Sequence, residues 1–127
     1  MDYFTLTKHL SKRLGINQEI FQLEFPYPAD RDFKKIHSEE VKNHHYLSKY
    51  EYWANTKENW RSIKLFFPPA IKREVIQILN EYLKENGEEL IDVENIPEKF
   101  SRDQDDFNLI LGQNQDYLIL EIALKED

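Results

Sequence analysis

The chain has no cysteine, only three glycines and five prolines, and no apolar run of membrane-spanning length. Without cysteine there is no disulfide framework, no thiolate metal site, no redox pair and no cysteine nucleophile. The three glycines stand alone, so no glycine-rich loop can cradle a phosphate. The motifs H-E-x-x-H and G-x-S-x-G are also missing, which removes the familiar zinc-protease and serine-hydrolase arrangements. The strongest apolar stretch, Tyr117–Leu124, is broken by Glu121 and falls well short of the roughly 20 residues that cross a bilayer. The first residues, MDYFTLTKHLSKRLG, begin with an acid and hold no apolar core of signal-peptide length. These absences lead to the expectation of a cytoplasmic protein with no cofactor and no membrane partner.

What is present suits one folded domain. The 127 residues are 40% hydrophobic and include seventeen aromatics (eight Phe, seven Tyr and two Trp), enough to build a core without covalent staples. The net charge of −7 is unevenly spread. Residues 1–28 balance three acids with three bases. Residues 29–67 carry six acids and eight bases, net +2, and residues 68–127 carry fifteen acids and six bases, net −9. The densest part, 81–106, has ten acids against three bases. A field of one sign repels nucleic acid and attracts basic partners.

Periodicity predicts an α+β domain over 1–127. Tyr3, Leu6, Leu10 and Leu14 fall at helical spacing before Gly15, so a helix is expected over Thr5–Leu14. Phe21, Leu23 and Phe25 alternate with Gln22 and Glu24, suggesting a strand that ends at Pro26–Pro28. Ala29–Leu47 is polar, with Phe33, Ile36 and Val41 as a thin apolar line, and reads as a helix. The alternating runs around Tyr50–Asn55 and Trp60–Phe67 predict one hairpin. A helix is expected over 69–86, from the prolines at 68–69 to Gly87, with Ile71, Val75, Ile78, Leu79, Tyr82 and Leu83 as its stripe. Residues 89–93 suggest a short strand and 96–106 an acidic loop. FNLILG and YLILEIAL form a second hairpin whose strands are apolar on nearly both faces. The expectation is a mostly antiparallel sheet of four to five strands, made of two hairpins, with about three helices against it.

The stretch SEEVKNHHYLSKYEYW, Ser38–Trp53, concentrates histidines, charge and aromatic rings. If 34–47 is helical, His37, Glu40 and His44 share one face and form a possible zinc or iron set. The spacing matches no familiar metal motif, and a polar helix face leading into a strand is the plainer reading. His44 or His45, with Lys49, could serve general acid–base cleavage of a phosphodiester. Leu10–Gln22 faintly resembles a helix-turn-helix core, with Gly15 at the turn and Asn17 as a cap. Its second helix, however, runs directly into the alternating segment and Pro26. The aspartates Asp103, Asp105 and Asp106 lack the glycine and distal glutamate of a calcium loop.

The functional expectation rests on charge and aromatics. A nuclease keeps a positive cleft for nucleic acid, and an acidic surface can be steered to that cleft and block it. The chain therefore reads as a small acidic binding protein that inhibits a basic protein partner, in the manner of an immunity protein or antitoxin against a nuclease-type toxin. The expected binding residues are Glu88, Glu89, Asp92, Glu94, Asp103, Asp105 and Asp106, with Tyr50, Tyr52, Trp53 and Trp60 as aromatic anchors. The alternatives are a small metal-independent hydrolase or nuclease using His44 or His45, or a regulatory subunit of a larger assembly.

Overall fold

In the computed structural model, which describes residues 2–29 and 33–126, six antiparallel strands form one sheet and two α-helices pack on one of its faces. The elements are α1 (Tyr3–Leu14), β1 (Phe33–Glu40), β2 (Lys49–Asn55), β3 (Trp60–Phe67), α2 (Lys72–Glu85), β4 (Lys99–Asp103), β5 (Phe107–Gln113) and β6 (Leu118–Lys125). The sheet order is β1-β2-β3-β6-β5-β4, so two three-stranded meanders meet at the β3–β6 ladder. No described helix is long and apolar enough to cross a membrane.

Each helix ends where its sequence directs. The Asp2 carboxylate accepts the Thr5 N–H at 2.8 Å and caps α1. Gly15 closes that helix in the left-handed conformation (φ 66°), donating to the Ser11 carbonyl. A 3-10 turn over Pro69–Ile71 feeds α2, and Gly87 (φ 68°) follows its end. The stripes Leu6, Leu10, Leu14 and Val75, Ile76, Leu79, Leu83 are buried. They share one core with Ile63, Leu65 and Phe67 of β3, Leu118, Leu120 and Ile122 of β6, and Phe107, Leu109 and Leu111 of β5. Alternation places the neighbours of these residues on the other face, and among the described residues no helix covers it.

The α+β class and both expected hairpins are present, with six strands and two helices in place of four to five and three. The helix expected over 29–47 is instead strand β1 followed by a loop; residues 30–32 lie outside the described residues. A bulge explains the misreading. The pairing of β1 with β2 slips between Lys35 and His37, inserting Ile36 as an extra residue. Phe33 and Ile36 are therefore three apart in a strand, which mimics helical spacing.

The strand expected at 20–25 is a 3-10 turn (Gln18–Phe21) followed by extended chain outside the ladder. Its alternation is real, with Phe21 and Leu23 buried and Gln22 and Glu24 exposed. Side chains satisfy its carbonyls in place of a neighbouring strand. Tyr52 donates to the Ile20 carbonyl and Arg61 Nε to that of Phe25, both at 2.7 Å. The same four-residue turn replaces the second helix of a helix-turn-helix.

Residues 89–93 form no strand, because the Asn80 side chain pairs with the Ile91 backbone through two 2.9 Å hydrogen bonds. The acidic loop of 96–106 contains β4, an edge strand whose polar sequence hides its period.

Leu79 is fully buried under the sheet. Leu79→Ala is expected to lower unfolding free energy by about 2–5 kcal/mol in urea denaturation. A near-zero loss would place the α2 stripe in solvent.

Candidate functional site

The histidine-rich stretch is a strand end, a loop and a second strand, so its histidines do not share a helix face. His37 lies on β1 on the helix-covered side, stacked on Tyr52 at 6.1 Å between centroids. Glu40 is in register with Lys49 on the open side, and His44 sits in the loop after β1. The proposed set His37, Glu40 and His44 is thus divided between two faces and a loop. Among the described residues no group of three or more His, Cys, Asp or Glu is placed to hold a metal ion.

His44 is a structural pin. Its Nδ1 accepts the backbone N–H groups of Tyr46 (3.1 Å) and Leu47 (2.9 Å), which requires an unprotonated Nδ1. Nε2 then carries the hydrogen and donates to the Gly15 carbonyl at 3.0 Å, tying the loop to the end of α1. With both nitrogens committed to backbone, His44 has no lone pair for a substrate proton. His45 packs edge-on against the Tyr46 ring.

The aromatic anchors divide by the parity of their strands. Tyr50 and Tyr52 face the helix layer, where Tyr50 donates to the Glu39 carboxylate and Tyr52 to the Ile20 carbonyl. Burial first, and then the Glu39 carboxylate, raises both phenols above their ordinary range. Trp53 and Trp60 face the open side. Phe33 bridges them, 4.5 Å from the Trp53 ring and 5.2 Å from the Trp60 ring, and Lys64 Nζ lies 4.1 Å from the Trp53 ring centroid.

Beside this cluster lies the least expected group of the sheet, Glu51, only 6% exposed although it faces the open side. Burial pushes its carboxyl up. The Trp53 Nε1–H (3.1 Å), Lys49 Nζ (3.5 Å), the Ser38 hydroxyl (3.2 Å) and Lys35 Nζ (3.9 Å) outweigh that and hold it below the usual glutamate range. In sequence Glu51 is one polar residue of an alternating strand; only the register against β1 and β3 reveals the cage.

The acidic segment wraps the opposite edge of the sheet, and many of its carboxylates are already engaged. Glu88 pairs with Arg102 at 2.9 Å, Glu94 with Arg73, and Asp103 with Lys125. Asp92 accepts the Glu94 N–H at 2.9 Å, a bond that holds its carboxyl low. The Asp106 carboxylate meets the Tyr3 N–H at the start of α1 (3.1 and 3.2 Å), a favourable place for a negative charge. Glu89 and Asp105 are exposed. Glu89, Asp92, Ile91, Phe100 and Arg102 line an open groove of about 410 Å³, with Leu90 at its edge and 48% exposed.

Trp53 on β2 is four strands from β4, roughly 19 Å at about 4.8 Å per strand. Trp60 is closer in effect. It is in register with Lys125, which reaches across β5 to Asp103, and a groove of about 290 Å³ lies on the open face among Trp60, Asn108, Glu121 and Lys125. The structure therefore joins Trp60 to the 103–106 turn and keeps Trp53, Tyr50 and Tyr52 apart from it. Searches against protein-family models, curated proteins and solved structures return no match for this chain.

Two measurements check these roles. His44→Ala is expected to cost about 1–3 kcal/mol of stability, since two loop N–H groups lose their acceptor. An unchanged melting temperature would refute the pin. For Glu51, a depressed carboxyl contributes stability that is complete above the ordinary value of 4.5 and is lost as pH falls through the lower folded value. Glu51→Gln is thus expected to be less stable than the parent near pH 7, with the gap shrinking on acidification below the ordinary glutamate range. A gap that stays constant in urea titrations across that window would contradict the cage.

Proposed function

We propose that this protein is a binding protein that inhibits a basic protein partner, as an immunity protein or antitoxin does with a nuclease-type toxin. The observation that carries the reading is the open sheet face, where Trp60 is in register with Lys125, the ion-pair partner of Asp103, and Trp53 and Phe33 extend the apolar surface across β2 to the β1 edge. An aromatic surface with a charged rim has the anatomy of a protein–protein interface. The net charge of −7 and the acids around β4 suit a partner whose own working surface is positive.

The rival reading, a nuclease built on His44 or His45, is narrowed to His45, because His44 already accepts two backbone hydrogens and donates to a third backbone group. The tyrosines serve this interface only indirectly, by holding β2 against the helix layer.

Charge and rings act at different stages of association. Long-range attraction works before contact and fades with salt, whereas anchors buried after contact govern escape. Asp103→Lys with Asp105→Lys is expected to slow association with a basic partner markedly at low salt and little at high salt. Asp106 is left intact because it caps α1. Trp60→Ala is expected to speed dissociation with little change in the association rate. Stopped-flow binding against the partner captured from the native host measures both. Association that ignores salt, or a tight partner that is itself acidic, would overturn the reading.

A further inference from the structure

β1 is one edge of the sheet, and all eight of its residues are exposed. Edges of this length invite pairing and are commonly guarded by like charges that repel a second copy. The charges of β1 are instead of both signs and sorted by end: Phe33-Lys34-Lys35 opens the strand and Glu39-Glu40 closes it. Paired antiparallel with itself, such a strand sets lysines against glutamates. Paired in parallel, it sets like against like.

The bulge extends this match to both faces. In the register with β2, Lys34, His37 and Glu39 pair with Ala54, Tyr52 and Tyr50 on the helix-covered side, while Phe33, Lys35, Ser38 and Glu40 lie on the open side. Lys34 and Glu39 are five residues apart and would point to opposite faces of a regular strand. The extra residue, Ile36, resets the alternation and places them on the same face. Each face therefore carries a lysine near one end and a glutamate near the other. A two-fold axis between Ile36 and His37 sets Lys34 opposite Glu39 of the second copy on the helix side. On the open side it sets Lys35 opposite Ser38 and diagonal to Glu40 of the second copy, within cross-strand reach. Phe33 and Ile36, 46% and 37% exposed, gain cover in the same step.

We infer that the chain forms a symmetric dimer through antiparallel β1–β1 pairing, which joins two six-stranded sheets into one of twelve strands. The contact is isologous and uses up the β1 edge of both copies, so it closes at two. The β4 edges then lie at the far ends, eleven strand spacings or roughly 50 Å apart, and the acidic surface is presented twice. This inference does not depend on the proposed partner, and its test uses the purified 127-residue chain alone.

Sedimentation velocity is expected to show a species of twice the 15.4 kDa chain mass, with a fraction that rises with concentration. Lys34→Glu with Lys35→Glu gives a strand of negative charge, and Glu39→Lys with Glu40→Lys gives one of positive charge. Each double variant is expected to sediment as a monomer, and an equimolar mixture of the two is expected to recover the dimer, which also shows that both are folded. A parent chain that stays monomeric at its highest soluble concentration would overturn the inference. So would double variants that dimerise as the parent does, or a mixture of folded variants that remains monomeric. A second readout needs no substitution: β1 amide hydrogens are expected to exchange more slowly as concentration rises, and exchange that ignores concentration would refute the pairing.

Discussion

The β3–β6 ladder is the constraint on which the rest of the molecule depends. Eight register pairs join residues 60–67 to residues 118–125, and three of them, Ile63–Ile122, Leu65–Leu120 and Phe67–Leu118, put large apolar side chains opposite each other on the helix-covered face. This long-range contact turns two local meanders into one sheet, and it forms against the loop-closure entropy of the fifty residues between Phe67 and Leu118. Once made, it presents an apolar floor that α2 can cover. α1 then docks on α2 through Arg13, which grips the Glu81 carboxylate with two hydrogen bonds, and through His9, which reaches the Ile78 carbonyl. A slip of one residue in this ladder would turn the apolar rows to the open side and leave the helices without a partner surface.

The open side is stabilised in a different way. Its central positions hold Glu51, Ser62, Lys64 and Glu121, groups that are costly to desolvate unless each finds a partner. They do find partners: Ser62 donates to Glu121 at 2.8 Å, and Glu51 sits among the Trp53 indole, the Ser38 hydroxyl and two lysines. Among the described residues no buried side-chain nitrogen or oxygen lacks a hydrogen-bond partner. The face is thus rigid yet uncovered, the condition in which aromatic rings can anchor a partner at small entropic cost.

Legibility in the sequence followed strand position in the sheet. The β2–β3 hairpin was readable because strands that bury one face must alternate, and the β5–β6 hairpin because two apolar runs flank a short polar turn. Helix α2 was readable because six buried residues keep strict helical spacing between two prolines and a glycine. The two edge strands were not. β1 buries none of its residues, so nothing selects an apolar period, and the bulge at Ile36 imitates a helix. β4 is five residues of mostly charged sequence, with only Phe100 and Arg102 turned toward the helix side. The candidate residues could be named from the sequence, and their arrangement could not. The tryptophans and the tyrosines are neighbours in sequence, and their separation onto opposite faces follows from strand parity. That Lys125 links Trp60's neighbourhood to Asp103 depends on the β3–β6–β5–β4 order, a non-local fact that no local pattern encodes.

The same order gives the charge asymmetry of the sequence a spatial meaning. Residues 29–67, net +2, supply β1, β2 and β3 on one side of the central ladder. Residues 68–127, net −9, supply β6, β5, β4 and the segment that wraps the far edge. Had the strands interleaved, the two halves would have neutralised each other across every ladder. Kept apart, they make a gradient of charge from the β1 edge to the β4 edge, steeper than any single ion pair because most individual pairs are local and already spent. On the proposed function, a basic partner would be turned toward the β4 end before contact. Under the proposed function, contact would fall on the open face, where Trp60 is in register with Lys125, the ion-pair partner of Asp103. The proposed function thus divides into two events on one molecule, orientation by charge and capture by rings.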